Sequence, residues 1–411
     1  MRLFKIVTGS LAGVLIVAGV FLLGYLFAVS TDRQDRIFAD SAPNPELISE
    51  LRGDIGIFWE AWELLQANFY SGPTEVHKLM QGAIKGMVNA SDDPYTEYLD
   101  AEEMRLTREH LEGRFVGVGI SVRVSEHGYL LIENPLPGSP AEVSGILAGD
   151  LVIKIDGNDI RGQGLREITS KIRGDRGTKV ILTIMRDGAP DQFDISITRD
   201  EIKISSIVSR MIEGIGYLRI TSFGNETAKD LKKFLQTLLD TNIQGLIIDL
   251  RNNPGGLLDS AIDVSSQFLP EQTVVLIERS RDDQIKEFRA SGGGLAIELP
   301  VVVLVNGGTA SAAEIVAGAL QDHKRATLVG STTFGKGSVQ RPFSLSDDSA
   351  VKVTIATWLT PNGQYLDGEG IRPDFNLSHN NQPVELEADN YIQAALKILR
   401  GELCCDDLKA A

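Results

Sequence analysis

The period of the apolar positions changes several times along the chain, and the changes divide it. An uncharged apolar run, "IVTGSLAGVLIVAGVFLLGYLFAV", spans Ile6 to Val29, with Arg2 and Lys5 before it and polar "STDRQDR" after it. At about 1.5 Å per residue a helix of that length exceeds a hydrocarbon core of roughly 30 Å, and it outruns the ~7–15 residues of a signal-peptide core. A single membrane anchor is therefore expected. Its basic flank belongs inside, which puts the body of the protein outside the cytoplasm. Ala28-Val29-Ser30 is a tolerable cleavage site, so removal of the segment and secretion remain the alternative.

Residues 39–46 read as a linker. Helical spacing follows in "FWEAWELLQANFY" (Phe58 to Tyr70) and again in "LMQGAIKGMVNA" (Leu79 to Ala90), and its aromatic stripe is expected to pack in a core. "DDPYTEYLD" (Asp92 to Asp100) breaks the pattern at Pro94. From Phe115 the texture becomes short alternating strands and glycine turns, a β-rich module of roughly ninety residues with one short helix, "LREITSKIRG". From Ile202 it changes again, to strand–helix–strand. "IGYLRI" is followed by the helix "ETAKDLKKFLQTLLD" and the buried strand "GLIIDL". "RNNPGG", a helix from Leu257 to Leu269, the strand "VVVLV" and a helix from Ala312 come next. Such alternation predicts an α/β sheet with ligand-handling loops at the strand ends.

Composition adds little to this. The 411 residues are 43% apolar and 23% charged, as in ordinary globular proteins, and 40 basic against 56 acidic side chains give a net charge of −16. An acidic surface disfavours nucleic acid and anionic membrane surfaces as main partners, and solubility is its simpler meaning. The two cysteines, Cys404 and Cys405, are adjacent, where a disulfide between them would be strained. No disulfide framework and no thiol or zinc chemistry is expected.

The candidate chemistry starts in "VNGGTASAAEIVAGAL", Val305 to Leu320, where one hydroxyl, Ser311, precedes an apolar stripe at 312, 315, 316, 319 and 320. The stripe turns one helix face inward and sets Ser311 at the first turn, where unpaired N–H groups favour negative charge. An ordinary cap fits that position, and so does a nucleophile. A nucleophile needs a base. His323 is twelve residues down the same helix, about 18 Å away at 1.5 Å per residue, and His77, His110, His127 and His379 lie in no recognisable motif. "GTASA" is not the GxSxG elbow.

Lysine is the other option. "ATLVGSTTFGKGSVQRPF" places Lys336 in a glycine-flanked loop after a buried strand. As a base it must be neutral near pH 7, and lowering its pKa from about 10.4 costs about 4 kcal/mol, which burial can supply. Gln340 can hold the amine by accepting a hydrogen bond without adding charge. The same stretch, Gly330 to Lys336, satisfies GxxxxGK, but Gly337 stands where a P-loop needs Ser or Thr, and the strand-like "SVQRPFSLS" with Pro342 replaces the required helix. "DLRNNPGG" (Asp249 to Gly256) leaves a strand and opens a helix, so the amides of Gly256 and of Ala312 are candidate oxyanion donors; a tight helix-start turn is the alternative.

Taken in order, "DDPYTEYLD", "GVGISV", "GSPAEVSGILAGDLVIKIDG", "DLRNNPGG", "GGTASAAEIVAGALQDHKRATLVGSTTFGKGSVQ" and "TPNGQYLDGEGIRPD" resemble the C-terminal processing peptidases, or tail-specific proteases, over residues 50–380. The resemblance implies a mixed α/β fold: a crotonase-like protease core with an inserted β-rich PDZ domain and an N-terminal helical segment. It implies boundaries at 1–30 (anchor or signal), 31–105 (linker and helical part), 106–199 (PDZ), 200–385 (core) and 386–411 (C-terminal helix and tail). Ser311 corresponds to the family's nucleophile, Lys336 to its base and Gln340 to the glutamine that positions the lysine. Gly256 matches the oxyanion glycine, and Asp322 an acidic position read as structural support. In the PDZ module the backbone of Gly117, Val118, Gly119 and Ile120 is expected to capture a terminal carboxylate while the peptide adds as a strand. Arg173 couples peptide binding to the core by resemblance, or is a solvated helix-end arginine. The implied function is a Ser-Lys serine endopeptidase cleaving extracytoplasmic polypeptides with disordered C-termini. Neither cofactor nor metal is implied, and a homo-oligomer is compatible with it.

Overall fold

The computed structural model describes residues 45–125, 127–377 and 389–403. The expected anchor, most of the linker, His379 and the cysteine pair lie outside them. Among the described residues no helix is long and apolar enough to cross a membrane. The chain divides into two units, up to Ala83 and from Ile84 onward.

In the first unit, helix α1 (Pro45–Asn68) carries the aromatic stripe. Phe58 and Trp59 meet edge to face at 5.3 Å. Both are exposed, as are Phe69 and Tyr70, so the stripe is not the core packing that its spacing predicts. Helix α2 (Val76–Asn89) follows and runs into the second unit.

The second unit opens with strand β1 (Glu97–Leu99) and helix α3 (Ala101–Glu112). Asp100 caps α3 by accepting the Glu103 N–H, and Gly113 ends it in the left-handed conformation. Strand β2 (Arg114–Gly117) then pairs antiparallel with β9 (Asp200–Lys203), forming a two-stranded neck. Everything between the two arms of the neck belongs to one small sheet and its helices. The strands are β3 (Ile120–Val124), β4 (Leu130–Pro135), β5 (Leu151–Ile155), β6 (Asn158–Asp159), β7 (Lys179–Met185) and β8 (Phe193–Thr198). Their order, β3-β4-β5-β7-β8, leaves β3 at one edge. The helices are α4 (Pro140–Val143) and α5 (Leu165–Ile172). This module has its own core, including Leu130, Ile132, Val152, Ile168, Val180, Leu182 and Ile197.

The remaining chain builds the expected α/β layers. Strands β10 (Ile207–Ile212), β11 (Ile215–Ile220), β12 (Leu246–Asp249), β15 (Val301–Val305), β16 (Thr327–Gly330) and β19 (Phe375–Asn376) form one sheet in that order. Only the β10–β11 hairpin is antiparallel; the other pairs are parallel. "VVVLV" is apolar throughout because both faces of β15 are covered. Val301, Val303 and Val305 join the core shared with helices α6 (Thr227–Leu239), α7 (Leu258–Ser265) and α8 (Ala312–Asp322). Val302 and Leu304 face the other core, where helix α9 (Asn390–Leu399) packs through Tyr391, Ile392, Ala395 and Leu396. A second sheet joins β1, β13 (Val274–Ser280), β14 (Ile285–Arg289), β17 (Ser338–Ser344) and β18 (Ala350–Leu359). Pro342 is tolerated because β17 pairs on one side only, with β18.

Helix α8 departs from its predicted pattern. Every residue from Ala312 to Leu320 is buried, so it is an interior helix rather than a one-faced one. Outside the stripe, Ala313, Ala317 and Gly318 leave room for neighbours, and Glu314 is buried with them.

Candidate active site

The parallel strands β12, β15 and β16 end at one edge of their sheet, and the loops that leave them meet there. From β15 the chain turns through Asn306–Ala310, pinned by Thr309, whose hydroxyl donates to the Leu250 carbonyl at 2.8 Å and accepts the Asn306 N–H at 3.0 Å. Ser311 then takes φ 54°, ψ −118°. A non-glycine residue in that region is strained by about 1–3 kcal/mol. Ser311 and Glu314 adopt a capping-box arrangement, in which the Ser311 N–H donates to Glu314 Oε2 at 2.8 Å. The hydroxyl makes no well-formed cap hydrogen bond to the helix. Partly exposed above a buried helix, it is presented rather than consumed.

The loop after β12 lies against this turn. Buried Asn253 holds its shape: the side chain donates to the Ile220 carbonyl at 2.8 Å and accepts the Gly255 N–H at 2.9 Å, and the Asn253 carbonyl accepts the Ala310 N–H at 2.9 Å. Both glycines of "NPGG" are required by space. A Cβ on Gly255 would fall 2.8 Å from the Ser311 Cβ, and one on Gly256 would fall 2.1 Å from the Phe223 carbonyl oxygen. Among the described residues the N–H groups of Gly256 and Ala312 have no hydrogen-bond partner. The close approach of Gly255 to Ser311 and the Ala312 nitrogen thus brings together the two loops that carry the candidate oxyanion donors, whose hydrogens are unspent.

The loop after β16 closes the site. It is tied to the β15 loop where the Phe334 N–H donates to the Thr309 carbonyl at 2.9 Å. Beneath it lies Glu314, with no exposed surface. Its Oε1 accepts the Thr333 hydroxyl at 2.5 Å and the Gly335 N–H at 2.7 Å. Its Oε2 accepts the Lys336 N–H at 2.9 Å as well as that of Ser311. One carboxylate oxygen therefore carries the main chain of both predicted catalytic residues. The Lys336 side chain is half-buried, with its Nζ 4.8 Å from the centre of the Tyr95 ring. Burial pushes its ammonium below the ordinary lysine value and Lys352 pushes the same way, against the pull of Glu97, Asp93 and Glu314.

Gln340 is placed differently from the expectation. Its amide nitrogen donates to Ser338 Oγ at 2.8 Å and Thr354 Oγ1 at 3.2 Å. No hydrogen bond joins it to Lys336 among the described residues. The register of β17 against β18 shifts between Val339 and Gln340. Asp322, at the end of α8, accepts the Asn362 N–H at 2.8 Å and anchors a turn. His323 donates from Nε2 to the Val274 carbonyl at 2.7 Å, at the far end of the helix.

On the small module, Gly117–Ile120 links the neck to edge strand β3. Val118 is buried, and the N–H groups of Val118 and Gly119 have no partner among the described residues. A cavity of about 680 Å³ opens beside them, lined by Ile120, Leu136 and Arg173 from the module and by Thr221, Ser222 and Thr227 from the core. Arg173 ends α5 and bridges away from it: its guanidinium lies 3.4 Å from Glu109 of α3 and 5.5 Å from the centre of the Phe115 ring. Among the described residues no group of His, Cys, Asp or Glu is placed to hold a metal ion.

Two participants were missed in the sequence, Glu314 and Tyr95. Ser-x-x-Glu before an apolar run is a capping-box signature and could have flagged the first. Nothing local signals that Tyr95, in "DDPYTEYLD", lies under a lysine so distant in the chain.

Comparison with known proteins matches this geometry to a group. Residues 214–377 match peptidase family S41, residues 131–186 match a PDZ domain, and residues 25–103 match the N-terminal domain described for the activating protease CtpB. A carboxy-terminal-processing protease of Bartonella bacilliformis is 39% identical over 366 residues, covering 87% of this chain and 80% of that one. The carboxy-terminal processing protease CtpA of Bacillus subtilis is 40% identical over 316 residues, covering 76% and 67%. A solved Bacteroides fragilis chain assigned to the S41 proteases shares the fold, with a TM-score of 0.53 and 19% identity over 79% of this chain and 90% of its own.

Proposed function

The chain belongs to peptidase family S41 and is a serine-type carboxy-terminal-processing protease with a PDZ domain, and from that premise we propose that it works through a Ser311–Lys336 dyad on extracytoplasmic polypeptides. What carries the reading is the single Glu314 oxygen that accepts N–H groups from both residues, beneath a strained, presented hydroxyl and a half-buried amine.

Neutral Lys336 takes the Ser311 proton as Oγ forms a bond to the substrate's carbonyl carbon. The carbonyl π pair moves onto oxygen, and the Gly256 and Ala312 N–H groups donate to that oxyanion. Collapse of the tetrahedral species breaks the C–N bond, and the Lys336 ammonium gives its proton to the departing amine. Water, deprotonated by the same lysine, attacks the acyl ester. A second tetrahedral species then releases the acid and returns the proton to Ser311. The lowered proton affinity of Lys336 suits this role, because the attack requires the free amine.

Substrates reach the site by their C-termini. The unspent N–H groups of Val118 and Gly119 suit a terminal carboxylate, and edge strand β3 suits an added strand. The apolar run Ile6 to Val29 supports a membrane anchor with the protease outside the cytoplasm. The test is cleavage of a disordered peptide by Ser311→Ala and Lys336→Ala. Both variants are expected to be silent, and turnover by either overturns the dyad. Amidating the peptide's C-terminus is expected to raise KM; an unchanged KM removes the PDZ step.

A further inference from the structure

The reaction above uses no carboxylate, yet one lies sealed beneath it. Burying a charge is costly unless it is matched, and Glu314 is matched on every side. Its four donors come from three places in the chain: the Ser311 turn, the Thr333 side chain, and the Gly335 and Lys336 backbone. All four point hydrogens at it, which only an acceptor with two oxygens can satisfy. Capping a helix needs one such contact. Here three of the four come from the loop that bears the lysine.

We infer that Glu314 is a positioning residue for catalysis: it fixes the spacing of Ser311 and Lys336 by holding the main chain of both. It touches no substrate. The inference rests on the Ser311–Lys336 reading. The other groups around the amine are Asp93, the Tyr95 ring and Glu97 from the β1 side and Lys352 from β18, and Asp367 adds its field at Tyr95.

Glu314→Gln is nearly isosteric. With its oxygen turned to Ser311 and Lys336, its NH₂ can donate to the Thr333 hydroxyl, which already accepts the Ile371 N–H at 2.8 Å, and only the Gly335 N–H is opposed. The variant is therefore expected to fold. Loosening the pair by about 1 Å is expected to lower kcat by about 10²-fold with little change in KM. Loss of the negative charge removes one pull on the Lys336 proton, so the rising limb of kcat against pH moves to lower pH. Thr333→Val removes one donor and keeps the charge, so the limb moves to higher pH.

The experiment is a pH profile of kcat for wild type, Glu314→Gln and Thr333→Val on a disordered peptide, with circular dichroism to verify folding. A limb moving in opposite directions in the two variants, with kcat lowered in Glu314→Gln, supports the inference. A folded Glu314→Gln with wild-type kcat, or with its limb unmoved, overturns it. If Glu314→Gln does not fold, the direction of the limb in Thr333→Val decides. Lys336→Ala runs alongside: turnover there sinks the dyad itself, whereas a silent Lys336→Ala beside a wild-type Glu314→Gln sinks only the role of Glu314.

Discussion

At Ser311 the backbone and the chemistry want different residues. A φ of 54° with ψ of −118° suits glycine, and a hydroxyl stands there instead. Ser311→Gly is expected to be more stable than Ser311→Ala by about 1–3 kcal/mol, because alanine keeps the strain and glycine releases it. Urea midpoints of the two variants check this, and equal midpoints would mean that the turn is unstrained. The sequence reading singled out Ser311 and Lys336 from residue type and loop chemistry taken together with the family resemblance. It weighed a cap against a nucleophile at Ser311, and in the structure the residue keeps a capping-box arrangement with Glu314, which holds the Ser311 N–H. It expected Gln340 against the amine, whereas the glutamine's amide nitrogen donates to Ser338 and Thr354, contacts that leave no mark in the sequence.

Among the elements, the parallel core was the most legible. Unbroken apolar runs such as "VVVLV" mean strands covered on both faces, and β15 is buried at all five positions. Element ends were less so: the helix expected over Leu257 to Leu269 is regular only from Leu258 to Ser265 and continues as turns. The exposed stripe on α1 shows the limit of periodicity, which reports that a face is apolar and not what covers it. Helix α5 meets α3 through the Arg173–Glu109 pair, of which the arginine is 37% exposed. Screened pairs of this kind contribute little, so Arg173→Ala is expected to change stability by less than about 1 kcal/mol. Since Arg173 also lines the cavity beside Ile120, the variant's KM is expected to rise for a peptide with a free C-terminus and not for its amidated twin. Equal KM changes for the two peptides would deny it a part in delivery.

Across the whole molecule, the C-terminal helix reaches back to the loop that supplies Gly256. Asp389 caps α9 by accepting the Tyr391 N–H at 2.9 Å, and its other oxygen meets Arg251 at 2.8 Å. Arg251 is also bound to buried Asp249 and stacks on the Tyr391 ring at 5.1 Å. Asp389→Ala removes a cap and one arm of this clamp together, and a loss of about 2 kcal/mol in unfolding free energy is expected, with the guanidinium still paired to Asp249. Chemical denaturation measures it, and a loss below about 0.5 kcal/mol would show α9 held by its apolar face alone. The clamp was not legible, because Arg251 of "DLRNNPGG" and Asp389 lie 138 residues apart and no local pattern pairs them.

The edge strand of the small module sets a length as well as a place. Strand β3 runs from Ile120 to Val124, five residues, with nothing among the described residues paired along its outer side. A main-chain ladder is blind to side chains and counts only how far an extended partner runs, about 3.3 Å per residue. A partner that fills this edge must therefore offer roughly 17 Å of free tail. On that reading the enzyme measures slack: a protein whose chain end is tucked into its fold is too short to register, and the same protein partly unravelled becomes long enough.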